Sequence, residues 1–261
     1  MKILAVDVGT GTQDILFFDR DKEIENSLKL VMPSPTLLVA SRIQAATAKR
    51  ASVVLSGVMM GGGPCAWAAE EHTQAGLPLF ATPDAARTFN DELDLVEKQM
   101  GIKIVGEDEA AKLAKHDDVT AIQMRDVDLE AIRAAFAAFG VPLEPDALAL
   151  AVFDHGNAPP CYSDRQFRFD YLRSQITHFE FQGWNKSLIA VQQLARFAFR
   201  REEIPARMTR FEAVAQSANF YGPMLLMDTA PAAVLGALED PHVHTRQRQL
   251  IANVGNFHTL E

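Results

Sequence analysis

The first stretch of the chain, Lys2 to Asp19, constrains the fold more than any later one. Lys2-Ile-Leu-Ala-Val6 is a short apolar run, the mark of a buried strand. An acid follows, Asp7, then a turn containing Gly9, Thr10, Gly11 and Thr12, with Gln13 beside it. A second strand starts at Ile15. Two strands joined by such a turn make a β-hairpin. Glycine leaves backbone N–H groups uncovered by any Cβ, so the turn can close on an anion. Asp7, at the strand end, is placed to meet a magnesium ion held by that anion. The same residues also describe an ordinary Gly-rich hairpin turn.

At 261 residues, 48% of them apolar, the chain has room for one large or two medium domains and a sizeable core. Its net charge of -9, without a long basic block, argues against a nucleic-acid or anionic-membrane partner. A local nest and a bound cation still allow an acidic protein to hold a nucleotide. No apolar run is long enough for a membrane span and no signal peptide opens the chain, which points to a reducing cytoplasm. Cys65 and Cys161 lie far apart and form neither a disulfide framework nor a CxxC site.

Further along, Glu23 to Met32 reads as a third strand broken by Pro33-Ser-Pro35, and Thr36 to Lys49 as a helix. Ser52 to Ser56 is a short strand feeding Gly61-Gly62-Gly63, where Pro64 opens a helix at its tolerated first-turn position. A Gly loop ahead of a helix is a ready anion site, and equally a tight strand-to-helix turn. Cys65, in that first turn, is exposed to a dipole that lowers a thiol pKa, although a buried inert cysteine is the plainer reading. Leu129 to Phe139 is amphipathic, with Ile132, Phe136 and Phe139 as a core stripe. Ala147 to Phe153 is a fully apolar strand that delivers Asp154-His155-Gly156-Asn157. Ligands in open α/β sheets sit outside the carboxyl ends of strands, so Asp154 and His155 are candidate catalytic residues, and an Asx turn is the alternative. Phe167 to Thr177, Ser187 to Phe199 and Arg207 to Asn219 read as helices. Met224 to Asp228 is another strand ending in an acid, and Thr229 to Leu238 is a helix. Leu250 to Thr259 is a strand followed by a turn containing Asn253, Gly255, Asn256, His258 and Thr259.

Asp7-x-Gly-Thr-x-Thr between two strands resembles the first phosphate motif of the actin, Hsp70 and sugar-kinase ATPase superfamily. That resemblance implies an α/β, ribonuclease H-like (actin-like ATPase) fold: a mixed sheet with N-terminal β-hairpins and flanking helices. Residues 1–160 would form the first lobe with an insertion, and residues 161–261 linking helices and the start of a second lobe. The superfamily's adenosine motif and closing helix are not reached by Glu261, so the second lobe would be truncated. ATP and Mg²⁺ would be the cofactors, bound by Asp7, Gly9, Thr10, Gly11, Thr12 and Gln13, with Gly61 to Gly63 nearby. The hairpin of Asn253, Gly255, Asn256, His258 and Thr259 would be the second phosphate clamp, although Asn253 stands where members usually carry Asp. Asp228-Thr229 resembles the Asp-Thr that hexokinase-type members use as a general base, while an N-cap is the structural alternative for Asp228.

A closer resemblance spans nearly the whole chain. Asp7 to Asp14, Met60-Gly-Gly-Gly-Pro64, Asp154-His-Gly-Asn157, Asp228-Thr-Ala-Pro231 and Asn253-Val-Gly-Asn256 are similar to a prokaryotic family labelled "putative pyruvate formate-lyase activating enzyme". Such an activase is a radical enzyme needing a CxxxCxxC triad for its cluster, which two isolated cysteines cannot supply. The expectation is therefore an ATP-dependent phosphotransferase or ATPase acting on an unidentified small molecule. A nucleotide-gated binding module without turnover is the alternative. A third reading is a dimeric activator ATPase bridging a cluster through Cys65 and Cys161.

Overall fold

The computed structural model describes residues 1–159, 161–180, 194–246, 250–254 and 259–260. Alternating burial along β1 (Lys2–Val8) and β2 (Thr12–Asp19) turns Leu4, Val6, Val8, Ile15 and Phe17 to one face. The two strands pair antiparallel, with Asp7 directly opposite Asp14. β3 (Leu28–Pro33) adds to β2, and α1 (Pro35–Ala48) begins at once, capped by Ser34, whose hydroxyl accepts the Leu37 N–H. On its other side β1 pairs in parallel with β8 (Ala147–Val152). β8 pairs in parallel with β10 (Met224–Met227), and β9 (Ala198–Arg200) closes that edge antiparallel. The sheet order is β3-β2-β1-β8-β10-β9. A division of the chain at residue 160 cuts this sheet, because β9 and β10 come from beyond it. The core lies against one face, where α6 (Leu129–Ala138) contributes Ile132 and Phe136, and α8 (Thr209–Ser217) contributes Phe211 and Val214.

Between α1 and α6 the chain builds a second sheet of β4 (Ser52–Gly57), β5 (Leu79–Ala81), β6 (Lys103–Ile104) and β7 (Val119–Met124). Its order is β6-β5-β4-β7 and every pair is parallel. Helices make the crossovers: α2 (Pro64–Gln74), then α3 (Pro83–Ala86) and α4 (Leu93–Met100), then α5 (Glu107–Leu113). β4 is buried through Val53, Val54 and Leu55, as a central parallel strand must be. The α/β class with a mixed and a parallel sheet follows. No helix among the described residues is long and apolar enough to cross a membrane.

Several local expectations change. Ile24–Asn26 is a single 3-10 turn, so the third strand begins only at Leu28. Phe139 does not share the core stripe of Ile132 and Phe136. It lies past the last helical turn, beside the left-handed Gly140, and is 80% exposed. β8 buries only alternate residues, since its other face is half open. Residues 187–193 lie outside the described residues, but Ala198–Arg200 is a strand rather than a helix end. Pairing with β10 and the Phe199–Phe211 ring contact at 5.9 Å override its helical periodicity. Asp164–Glu180 forms α7, Thr229–Leu238 α9 and Pro241–His244 α10.

Candidate functional site

β1, β8 and β10 run parallel and side by side, and each delivers an aspartate at its carboxyl end: Asp7, Asp154 and Asp228. The three differ sharply in what surrounds them.

Asp7 is exposed, yet enough protein lies around it to push its carboxyl pKa up to about 6. Desolvation is the largest cause, followed by the charges of Asp14 and Asp228. The turn beside it is closed by Gly9 N–H donating to Thr12 O at 2.9 Å. The Thr12 hydroxyl donates to Asp14 Oδ2 at 3.2 Å, and Gln13 Nε2 reaches across to Pro33 O at 3.0 Å. Among the described residues the N–H groups of Thr10 and Gly11 donate to nothing, which leaves them available to an anion.

Asp154 is buried, and each of its oxygens accepts a backbone N–H. Oδ1 accepts Gly156 N–H at 2.8 Å, the Asx turn, and Oδ2 accepts Phe211 N–H at 2.9 Å. Phe211 is the third residue of α8, so Asp154 caps that helix from across the chain. Burial raises its pKa to about 6, against the lowering effect of those two N–H bonds. His155, next along, is exposed, with its ring edge-on to Phe153 at 4.5 Å.

Asp228 has two duties. Oδ1 caps α9 by accepting Ala230 N–H at 3.0 Å. Both oxygens also accept from Arg168 of α7, Nε to Oδ2 at 2.9 Å and Nη2 to Oδ1 at 2.6 Å, in a buried bidentate pair. The Arg168 guanidinium lies 3.7 Å over the Phe153 ring.

The Gly61–Gly63 loop reaches the first turn of the chain. The start of α1 ties the two together. Ser34 donates its hydroxyl to Thr10 O and its N–H to Gly11 O, at 2.5 and 3.1 Å. Thr36, two residues on, donates its hydroxyl to Gly62 O and accepts Cys65 N–H at 3.1 Å. A Cβ on Gly63 would touch Thr10 Cγ2 at 3.7 Å. On the far side of the loop, Gly61 N–H donates to Asp126 Oδ1 at 3.1 Å. Asp126 is held in turn by Arg210 of α8, through Nε at 2.7 Å and Nη2 at 2.9 Å, and Arg210 Nη1 donates to Phe153 O. Burial works against the Arg210 charge, but Asp126, then Asp154 and Asp228, raise its pKa.

Among the described residues, Asn253–Val254 and Thr259–Leu260 make no hydrogen bond to either turn. Asn253 lies in β11 (Asn253–Val254) opposite Leu260, and Thr259 in β12 (Thr259–Leu260) opposite Val254. Ile251, just before it, packs with Phe197, Met227 and Leu238. Gly255, Asn256 and His258 lie outside the described residues. Sequence reading missed Arg168, Asp126 and Arg210. Asp126 carried a signal, because it follows strand β7 as Asp154 follows β8, but neither arginine sits in any motif.

The family described as "Putative pyruvate format-lyase activating enzyme (DUF1786)" matches residues 60–261. The chain belongs to this family. The match opens at the Gly61–Gly63 loop and takes in Asp154, Asp228 and Asn253, while the first hairpin lies before it. No curated protein matches the chain. Among solved structures it is similar to the crystal structure of the Aquifex aeolicus member of the Ppx/GppA protein family. Identity is 11%, covering 93% of this chain and 99% of that one, with a TM-score of 0.14, too low to bear on the fold. The cysteines do not supply the three-thiolate cluster that the resemblance to an activase implies. Cys65 is buried, donates its thiol to Gly61 O at 3.5 Å, and has its pKa raised to about 11 by burial, contrary to a dipole-activated thiol. Cys161 is exposed, and two cysteines cannot furnish three thiolates. Among the described residues no three His, Cys, Asp or Glu side chains group to hold a metal.

Proposed function

We propose that this chain is a cytoplasmic, actin-like ATP-binding protein with a ribonuclease H-like core, acting as a phosphotransferase or ATPase on a small molecule. One observation carries the reading. An antiparallel β3-β2-β1 meander continues into parallel β8 and β10, and the three adjacent parallel strands present Asp7, Asp154 and Asp228 beside a Gly/Thr turn with open N–H donors. In this reading residues 1–160 supply most of the nucleotide lobe, β9 and β10 complete its sheet, and the rest of residues 161–261 begins the second. Magnesium keeps most of its waters and takes one or two carboxylates plus phosphate oxygens, so Asp7 with Asp14 suits it without a third protein ligand. Bound there, Mg²⁺ would neutralise the phosphates and offset both the desolvation and the Asp14 and Asp228 repulsion that oppose the Asp7 charge. Thr10 and Gly11 N–H groups would hold the phosphate, and Asp154 would fix the floor through α8. Asp228 would serve as base toward an acceptor hydroxyl only after Arg168 lets go of one oxygen.

That last requirement favours the second reading, a nucleotide-gated binding module without turnover, since both oxygens of Asp154 and of Asp228 already accept hydrogen bonds. Thermal denaturation with and without Mg-ATP tests the common part. Ligand at a hundred times its Kd adds about 2.7 kcal/mol of apparent stability. A rise that Asp7→Ala abolishes supports the site; no rise at saturating Mg-ATP rejects it. ADP release measured on the same sample separates enzyme from binding module.

A further inference from the structure

We infer that the second jaw of the phosphate site is the Gly61–Gly63 loop of the inserted parallel sheet, not the C-terminal hairpin. This inference rests on the nucleotide reading above and assigns its polyphosphate-facing surface. The first support is topological. In the order β6-β5-β4-β7 the crossover from β4 runs to one side and β7 lies on the other, so the chain switches direction between β4 and β7. Ligands of doubly wound sheets sit in the crevice at the carboxyl ends of the strands flanking such a switch. Those ends carry the loop 58–63 after β4 and Asp126 after β7.

The second support is where that crevice points. It opens on the turn beside Asp7: Ser34 and Thr36, both buried at the start of α1, bond to Thr10, Gly11 and Gly62, and Gly63 abuts Thr10. Two glycine turns from two different sheets are therefore pinned to each other by one helix start. Among the described residues the N–H groups of Gly62 and Gly63 donate to nothing, like those of Thr10 and Gly11. Side chains are excluded as well as absent. A Cβ at Gly61 would lie 2.7 Å from Arg210 Nη2, whose guanidinium is locked on Asp126, and one at Gly62 would lie 3.1 Å from Thr88 O.

The third support is independent of the loop. Thr82, at the carboxyl end of the neighbouring strand β5, is fully buried, and among the described residues its hydroxyl has no partner. Its N–H donates to Leu55 O, two residues before Gly57. An unpaired buried hydroxyl is costly, and a water or ligand group reaching the carboxyl ends of β4 and β5 would satisfy it. A polyphosphate lying between the two turns would take N–H donors from both, with its cation on Asp7. The Asp126–Arg210 pair acts as a positioning element that sets the gap, by holding Gly61 to the end of β8.

Amide hydrogen exchange on the full chain tests this, with Mg-ATP and with Mg-tripolyphosphate, which has phosphates but no nucleoside. At a hundred times Kd, amides that must shed ligand to exchange should slow by about 100-fold. Protection is expected in segments 9–12 and 61–66, at the amides of Thr10, Gly11, Gly62 and Gly63, with both probes, and none at Asn253–Val254 or Thr259–Leu260. Protection at 9–12 and in the C-terminal hairpin, but not at 61–66, overturns the inference and leaves the nucleotide reading standing. No protection anywhere at saturating probe overturns both. Among variants, Gly62→Ala should weaken Mg-ATP at least about tenfold and Asn253→Ala by less than about twofold, tenfold being 1.4 kcal/mol. The reverse ranking rejects the loop as the second jaw.

Discussion

Replacing Asp7 by asparagine should make the protein more stable while removing its hold on Mg²⁺. Its carboxyl titrates near 6 in the fold against an ordinary 3.8, because burial, Asp14 and Asp228 all oppose its charge. A folded pKa above the unfolded one means that this group's contribution is fully present below about pH 3.8 and is lost as pH rises through about 6. Two pKa units would amount to about 3 kcal/mol if fully expressed. Asp7 is exposed, however, and solvent screening reduces that to about 1 kcal/mol. The amide would keep the shape and lose the charge, so Asp7→Asn should gain about 1 kcal/mol at pH 7.5, or about 2–4 °C in Tm for a chain of this size. The gain should shrink toward zero by about pH 4. Urea melts of both proteins across that range measure it, and taking the difference cancels other titrating groups such as the buried His72. A variant less stable than the parent at pH 7.5, or a gain independent of pH, would refute the electrostatic account. Adding MgCl₂ should then raise the parent's midpoint and leave that of Asp7→Asn unmoved.

Four further outcomes follow from the same geometry. Arg168→Met should cost about 3–5 kcal/mol by stranding buried Asp228, and the double change with Asp228→Asn should recover part of it, read as a coupling in a double-mutant cycle by urea melts. Phe136→Ala should cost about 3–5 kcal/mol, while Phe139→Ser should stay within about 0.5 kcal/mol, since only the first is buried. A thiol reagent at neutral pH should label Cys161 alone in the native protein and Cys65 only after denaturation; rapid native labelling of both contradicts the burial of Cys65. Gly57→Ala should destabilise the second sheet severely, because the residue sits at φ 107° and its Cβ would lie 2.4 Å from Met124 O, which melting of the purified variant checks.

Much of this was legible in the sequence because it is local. The first hairpin, the strand-then-acid units at Asp154 and Asp228, and the proline-opened helix after Gly63 each declare themselves within about ten residues. The Asx turn and the N-cap, both open alternatives for those acids, are present. What the sequence hid is non-local. Arg210 meets Asp126 across 84 positions and Arg168 meets Asp228 across 60, and no spacing rule reaches that far. The meeting of the Gly9–Thr12 turn with the Gly61–Gly63 loop depends on Ser34 and Thr36, which read as an unremarked helix start. Ala198 and Phe199 read as the end of a helix because they do not encode the neighbour that β9 pairs with.

The partner strand of β1 lies 144 residues downstream, Ile3 facing Ala147. A ribosome adding about 5–20 residues per second leaves roughly 7–30 s between the two. Throughout that interval the newly made β1–β2–β3 meander has one edge of β1 unpaired, a row of hydrogen-bonding groups open to any other chain. The inserted sheet, with its own core and its own parallel strands, is made entirely within the same interval. β4, where the chain enters this sheet, pairs with β7, where it leaves, so once folded the sheet shortens the loop that the first sheet has to close.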